Sequence, residues 1–436
     1  MHGYPVSRRF DVLIIADDFT GACDTAAQFA SPGRPVRVAI EDPDAPVSGD
    51  EARALRSDRR DASVHVIDTE TRHLSPAQAV STVRRMSSAA ATKPFGPPVL
   101  VYKKIDSTLR GNIAAEIGAL ARVFPERVLV VAPAFPATGR TTRGGICLVD
   151  GVPVDETEFA RDTRSPVGSA RIADTLRFTR ARHCDSTELA GLLPGVEAEA
   201  ALVVDAETDR DLDRVASLVA EEPARYIAVG SAGLAAAIAR LSGRTGPALQ
   251  QSPTAPVVDR RLTGAGTVAP PVLGLVGSQS ERSKRQADVL SGRGGVTAVM
   301  LADAERVIDV LAGGGQALVM TASARDGRQT RDGGDEAAAR IADALGAVAR
   351  SAVEEVPDLR LFLTGGDTAL AAVRALGACV VDVHRQIICG VPAITIPALI
   401  AGRRRTVTAV TKAGGFGGDE TMARAFRCLR GEQCWR

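Results

Sequence analysis

The sequence predicts an α/β protein of two domains, each a mostly parallel sheet flanked by helices. Three observations predict it. The chain has 436 residues, more than one ordinary core serves. Hydrophobic residues make up 45% of it, enough to bury large cores. Short apolar runs lead, again and again, through a small-residue loop into an Ala-rich helical stretch. Strands that alternate with helices call for parallel pairing, with helices covering both faces of the sheet.

The first apolar run spans residues 11–16 and meets Asp17, Asp18, Phe19, Thr20, Gly21 and Ala22, a turn that opens a helix. Further runs lie at 63–67, 99–102, 127–131, 201–205 and 226–229, with helical stretches at 112–123 and 232–241. Segment 135–200 is less regular and reads as a smaller inserted element. From 242 to 271 Gly, Pro, Thr, Gln and Ser dominate and helical periodicity stops, which marks a linker. The pattern restarts with strands at 272–276, 317–321, 361–363 and 407–410, and a long helix over about 335–353. Gly313 to Gly315 is a simple loop, and no short-period repeat is present. The domain boundaries that follow are 1–243, a linker over 244–270, and 271–436.

Composition excludes several function classes. Lys plus Arg number 53 against 52 Asp plus Glu, a net charge of +1, so there is no electrostatic footprint for nucleic acid or an anionic membrane. Aromatic residues are 3%, too few for base-stacking surfaces. No apolar stretch approaches the length of a membrane span. Ser7-Arg8-Arg9-Phe10 faintly echoes a twin-arginine signal, but the run after it is short and ends on two acids, so it reads as the first core strand. A cytoplasmic location is expected. Seven cysteines without a CxxC pair or zinc-like spacing read as scattered reduced thiols. Five histidines without HExxH speak against a zinc hydrolase.

In an open α/β sheet ligands bind where strands end. Asp17 and Asp18 stand there, and two acids cost desolvation unless a cation, a metal or a substrate hydroxyl meets them. One of them can serve as a base or a hydroxyl binder, with Thr20 at the helix start. The alternative is that Asp18 or Thr20 is only an N-cap. Lys103-Lys104-Ile105-Asp106-Ser107-Thr108-Leu109-Arg110-Gly111-Asn112 follows another apolar run. So dense a polar cluster suits a small, oxygen-rich anion, with Arg110 able to grip a carboxylate or phosphate bidentately and Lys104 supplying a point charge. Asp68 to His73 adds a carboxylate and Arg72 to the same rim, or is a polar loop. Ala132 to Arg140 is a Pro-framed turn that can shape a pocket.

The second half carries glycines and hydroxyls at its strand ends: Gly277-Ser278-Gln279-Ser280, Thr364-Gly365-Gly366-Asp367-Thr368, and Lys412-Ala413-Gly414-Gly415-Phe416-Gly417-Gly418. Glycine lets the backbone approach a ligand, and amides at a helix start attract phosphate oxygens. The P-loop pattern and a clean GxGxxG after the first strand are both absent, which speaks against a Walker-type ATPase and a standard dinucleotide fold. Carboxylates and cations in one half and a phosphate cradle in the other fit phosphoryl transfer, which needs positioning and charge neutralisation more than covalent chemistry.

Taken together, ADDFTGA (Ala16 to Ala22), KKIDSTLRGN (Lys103 to Asn112), GSQS (Gly277 to Ser280), TGGDTA (Thr364 to Ala369) and KAGGFG (Lys412 to Gly417) resemble the four-carbon acid sugar kinase family, in order and over nearly the whole chain. The resemblance implies an N-terminal domain for the sugar acid and a C-terminal domain for ATP. The implied reaction is phosphorylation of the terminal hydroxyl of threonate, erythronate or 3-oxo-tetronate. The KKIDSTLRGN form is similar to the threonate and erythronate branch. Gln279 departs from the small residue or cysteine of relatives. Carried over, the ATP side falls on Ser278, Ser280, Gly365, Gly366, Asp367, Thr368, Gly414, Gly415 and Gly417.

The acid-sugar side falls on Asp17, Asp18, Lys104, Asp106, Ser107 and Arg110, with Thr20, Arg72 and Asn112 counted among the substrate-binding residues. By analogy with sugar kinases, Asp17 or Asp18 orients or deprotonates the attacking hydroxyl, with Asp106 as the rival base. Lys104 and Arg110 hold the substrate carboxylate, and Mg²⁺ bridges the nucleotide phosphates with unassigned protein ligands. Substrate is expected between the domains, with closure on binding. Two alternatives remain in view: a sugar-acid sensor regulated by nucleotide, and a nicotinamide-dependent dehydrogenase disfavoured by the missing fingerprint. A homodimer is compatible with the architecture.

Overall fold

The computed structural model describes residues 11–41, 64–91, 100–162, 164–178, 181–193, 196, 200–242, 269–278, 280–321 and 334–432. Most of the expected linker (243–268), the first residues of two expected strands (63 and 99) and Gln279 lie outside them. The chain divides into two compact units, 1–248 and 249–436.

The first unit runs β1 (Val12–Ala16), α1 (Phe19–Phe29), β2 (Val36–Ile40), β3 (Val64–Asp68), α2 (Pro76–Ala91), β4 (Leu100–Lys104), α3 (Ile113–Val123) and β5 (Val128–Ala132). A small antiparallel sheet of β6 (Arg140–Arg143), β7 (Ile146–Val149) and β8 (Val152–Pro153) follows, which is the inserted element of the irregular segment. Then come α4 (Ile172–Leu176), β9 (Ala181–Cys184), α5 (Leu189–Leu192), β10 (Ala201–Val204), α6 (Asp209–Glu221), β11 (Tyr226–Gly230) and α7 (Ala232–Leu241).

Its main sheet has the order β2-β3-β1-β4-β11-β5-β10-β9, and every pairing is parallel. Strands β1, β4, β5 and β11 are buried along their whole length, which explains their unbroken apolar runs. Helix α3 packs Ile113, Ile117 and Leu120 into a core with Leu13, Ile15, Val101 and Leu129. Helix α6 opens on a capping box, in which Thr208 and Asp211 satisfy each other's backbone N–H.

The second unit runs β12 (Val272–Val276), α8 (Glu281–Gly292), β13 (Val296–Met300), α9 (Val307–Ala312), β14 (Gln316–Met320), α10 (Gly334–Glu355), β15 (Arg360–Thr364), α11 (Gly366–Ala375), β16 (Val380–Ile388), β17 (Val391–Ile400), β18 (Arg403–Lys412) and α12 (Thr421–Leu429). Strands β13-β14-β12-β15-β18 are parallel, and β17 and β16 continue from β18 as antiparallel neighbours. The β16–β17 pair has no counterpart in the sequence expectation. Pro392 and Pro397 inside β17 speak against a central strand by local rules, yet its residues are almost all buried and pairing wins.

The thiol expectation holds for Cys23, Cys147, Cys184, Cys379 and Cys389, which are free. It does not hold for Cys428, which is disulfide-bonded. Spacing alone had not singled Cys428 out. Among the described residues no helix is long and apolar enough to cross a membrane.

Candidate active site

Strand β1 pairs with β3 on one side and β4 on the other, with Ala16 level with both Asp68 and Lys104. The chain winds from β1 through β2 and β3 to one side, then crosses to β4. Its direction therefore reverses between β1 and β4, the place where open α/β sheets bind ligands. Asp17, Asp18 and Lys104 stand at that reversal because each lies at the end of its strand or directly after it.

Asp18 is the N-cap of α1 and accepts from the Gly21 N–H at 3.2 Å, so the capping alternative is correct as far as it goes. The same carboxylate takes more. Its Oδ1 accepts from Arg72 at 2.5 Å and its Oδ2 from the Thr20 hydroxyl at 2.6 Å. Arg72 holds both oxygens of Asp17, at 2.7 and 3.0 Å. Arg72, expected among the substrate-binding residues, joins two carboxylates. Burial opposes ionisation of Asp17, but Arg72, Lys103 and Lys104 outweigh it and lower its pKa to about 2.

Arg110 is engaged in the same way. It grips Asp106 at 2.8 and 3.2 Å, reaches Asp162 at 3.2 Å and stacks on the Phe159 ring. Burial pushes Asp106 up, yet Arg110 and Arg72 hold it well below the usual carboxylate range. Thr108 donates its hydroxyl to the same carboxylate. Asn112, expected to touch substrate, donates its amide to the carbonyls of Thr71 and Leu74 at 2.8 and 2.7 Å and so ties two loops together. At the end of β3, burial and Glu70 push the Asp68 carboxyl well above its ordinary value. Glu70 accepts from the Phe19 N–H at 3.0 Å.

Two predicted groups keep unused capacity. Lys104 is 5% exposed, and among the described residues its ammonium makes no hydrogen bond or ion pair. The Ser107 hydroxyl is buried without a hydrogen-bond partner. A cavity of about 590 Å³ opens against Arg72, Leu109, Gly111, Asn112, Arg164 and Ser165, and neither Lys104 nor Ser107 lines it. Lys103, the neighbour of Lys104, points to the other face of the sheet, as strand alternation requires. There it forms a fully buried ion pair with Glu116 of α3 at 2.8 Å. The sequence carried one signal for this pair: a single acid in the first turn of an otherwise apolar helix face.

The ionised Asp17 makes stability sensitive to acid. A carboxyl whose folded pKa lies below its unfolded value stabilises the fold above the unfolded value, and that gain is lost as pH falls through the folded one. A shift from 3.8 to about 2 is worth about 2 kcal/mol. Denaturant titrations of wild type and Asp17→Asn at pH 5 and pH 2 should show a steeper acid loss for wild type. Equal losses would remove Asp17 from the acid response.

In the second unit the three glycine loops come together. Ser280 caps α8 by accepting from the Ser283 N–H, and its hydroxyl donates to the Gly414 carbonyl at 2.9 Å. Ser278 reaches Ser280 at 3.2 Å. The Gly365 N–H donates to the Lys412 carbonyl at 3.0 Å, and Gly365 sits at φ +102, which a side chain would strain. A Cβ on Gly414 would collide with the Ser278 hydroxyl, so the third loop can approach the first only as glycine. Gly366 opens α11 and Asp367 lies in its first turn, while Thr368 packs against Gly277. Gly415 and Gly417 lie in the third loop, Gly417 with positive φ. Sequence reasoning missed Arg282, Ser283 and Gln286, whose side chains donate to carbonyls of that loop. No motif marks them. Among the described residues no group of three or more His, Cys, Asp or Glu can hold a metal ion.

Comparison with known proteins divides the chain along the same lines. A family described as a sugar-binding N-terminal domain matches residues 12–238, and one described as a nucleotide-binding C-terminal domain matches residues 273–422. The chain is 33% identical to a D-threonate kinase of Salmonella typhimurium, over 97% of this chain and 99% of the relative. It is 29% identical to a D-erythronate kinase of Heliobacterium modesticaldum, over 94% of this chain and 95% of the relative. A solved protein of Haemophilus influenzae shares the fold, with a TM-score of 0.64 at 22% identity over 96% of this chain and 99% of the other.

Proposed function

The chain belongs to the four-carbon acid sugar kinase family, and from that premise we propose that it transfers the γ-phosphoryl group of ATP to the 4-hydroxyl of D-threonate or D-erythronate. The observation that carries the choice of an acid is Lys104, a buried ammonium with no hydrogen bond or ion pair among the described residues, whose charge acts on Asp17 and Asp106 only at a distance while those carboxylates are paired with arginines. A desolvated cation gains most from an anion brought by the ligand, and the substrate carboxylate is that anion. The unpartnered Ser107 hydroxyl supports a polyhydroxylated ligand at the same strand end.

Asp18 is the base in this reading. Both oxygens of Asp17 are taken by Arg72, and both of Asp106 by Arg110. Asp18 Oδ2 meets only a hydroxyl, and its side chain is the most accessible of the three at 10%. The 4-hydroxyl attacks phosphorus, its proton passes to Asp18, and the bond from the γ-phosphorus to the bridging oxygen breaks to release ADP. Arg72 and Arg110 hold the carboxylates in place, so they act on substrate through Asp17, Asp18 and Asp106. The glycine loops of the second unit suit the phosphates. Mg²⁺, if bound with the nucleotide, would supply charge neutralisation at those phosphates; no group of three or more His, Cys, Asp or Glu among the described residues would hold it, so its protein ligands are unassigned. The cytoplasm, where ATP is supplied, is the setting we assign.

A coupled ADP-release assay over D-threonate, D-erythronate, their enantiomers and 3-oxo-tetronate, with and without Mg²⁺, tests the reading. Magnesium-dependent ADP release with a four-carbon aldonate is expected. Release with the 3-oxo acid alone would overturn the substrate, and no release above the water background with any acid would overturn the activity.

A further inference from the structure

The third glycine loop, 413–418, has its carbonyls bound by side chains. Lys412 Nζ lies 2.8 Å from the Ala413 carbonyl, 3.0 Å from that of Gly414 and 3.3 Å from that of Phe416. From α8, the Ser283 hydroxyl donates to Gly414 at 2.9 Å, and Gln286 Nε2 donates to Phe416, Gly417 and Gly418 at 3.0, 3.3 and 2.9 Å. Arg282 donates to Gly417 at 3.2 Å. Lys412, Ser283 and Gln286 are all fully buried. None of these side chains is needed to close a helix or a strand.

A trans peptide fixes the consequence. The C=O of one residue and the N–H of the next point in opposite directions. Carbonyls of Ala413, Phe416 and Gly417 drawn onto the buried donors turn the amides of Gly414, Gly417 and Gly418 the other way. A run of amides on one side of a glycine loop is an anion-binding concavity. A neutral apolar residue at 412 or 286 would remove one donor from each of several carbonyls: Gly414 would keep Ser280 and Ser283, Phe416 the other of Lys412 and Gln286, and Gly417 Arg282, so the loop would be held less firmly rather than released. Burial and Arg282 lower the Lys412 pKa to about 7, while the carbonyls around it favour the charged form.

We propose that Lys412, Ser283 and Gln286 are positioning residues: a buried donor frame that binds the carbonyls of the 413–418 loop and so presents its amides to the phosphates of the nucleotide. This rests on the kinase reading above. None of the three touches the nucleotide in this proposal; each acts through the peptide planes of the loop.

The test is ADP titration by calorimetry and initial-rate kinetics on wild type, Gln286→Met, Ser283→Ala and Lys412→Met, with melting temperatures alongside. Gln286→Met keeps the side-chain volume and removes the donor. The expected result is a Kd for ADP and a KM for ATP raised roughly tenfold, the scale of one or two lost hydrogen bonds. The KM for the sugar acid should stay within about twofold on the same scale. Should Lys412→Met fail to fold, Gln286→Met and Ser283→Ala carry the test. Unchanged nucleotide affinity in both, or equal weakening of both substrates, overturns the frame. If wild type itself binds no ADP, it is the kinase reading that fails, and the two failures are told apart.

Discussion

Replacing Asp18 with asparagine should lower kcat by roughly 10²- to 10⁴-fold, the contribution of a positioned base, while the protein stays folded. The variant isolates the chemistry because asparagine caps a helix as well as aspartate does. Its Oδ1 keeps the Gly21 N–H, and its amide can donate to the Thr20 hydroxyl that now donates to Asp18. Arg72 loses one ionic partner and keeps both contacts to Asp17. Asp17→Asn is the contrasting variant. It breaks the bidentate pair, so it should lower the melting temperature first. Single-turnover rates on both proteins at matched folded fractions decide the matter. Near wild-type turnover in Asp18→Asn would end its assignment, and a selective loss in Asp17→Asn or Asp106→Asn would move the role there.

The largest effect on stability is expected from Glu116→Leu. Lys103 and Glu116 are 0% and 1% exposed, and their charges meet at 2.8 Å. Removing the acid leaves a buried ammonium with only the Lys104 carbonyl at 2.7 Å and the Ile15 carbonyl at 3.4 Å. Breaking such a pair costs about 3–5 kcal/mol, because the remaining charge cannot reach water. In a unit of this size that is a drop of about 10 °C or more in melting temperature. The double variant Lys103→Met/Glu116→Leu should recover most of it, since an apolar pair of similar volume carries no desolvation cost. A single variant as stable as wild type, or a double variant as unstable as the single, would show that the charges are not isolated from solvent. The pair also ties the ends of β1 and β4 through the two carbonyls, so the single variant should raise the KM for the sugar acid as well.

Much of the site was legible at the strand ends. An unbroken apolar run followed by acids, or by glycines, is a local pattern, and it places Asp17, Asp18, Lys104 and Ser107 at the strand ends of the candidate site. The fully buried parallel strands were found for the same reason, because double-sided burial writes itself as a continuous apolar run. Strands that break this rule were not found. Arg37 interrupts β2, β13 is largely exposed, and β17 contains two prolines.

Roles were less legible than positions. Arg72 and Arg110 read as ligand clamps because their chemistry allows it, but partners are a matter of distance. Asp17 lies 55 residues from Arg72, and Asp162 lies 52 from Arg110.

The order of residues along the chain determined which chemical groups end up at the tips of which strands, and hence the family and the kind of reaction. Which of those groups are already paired, and which is buried with no hydrogen bond or ion pair among the described residues, was decided only by the packed fold. Pairing energies depend on separations of a few ångströms between residues far apart in sequence and on the exclusion of water around them, and neither quantity exists until the chain has folded.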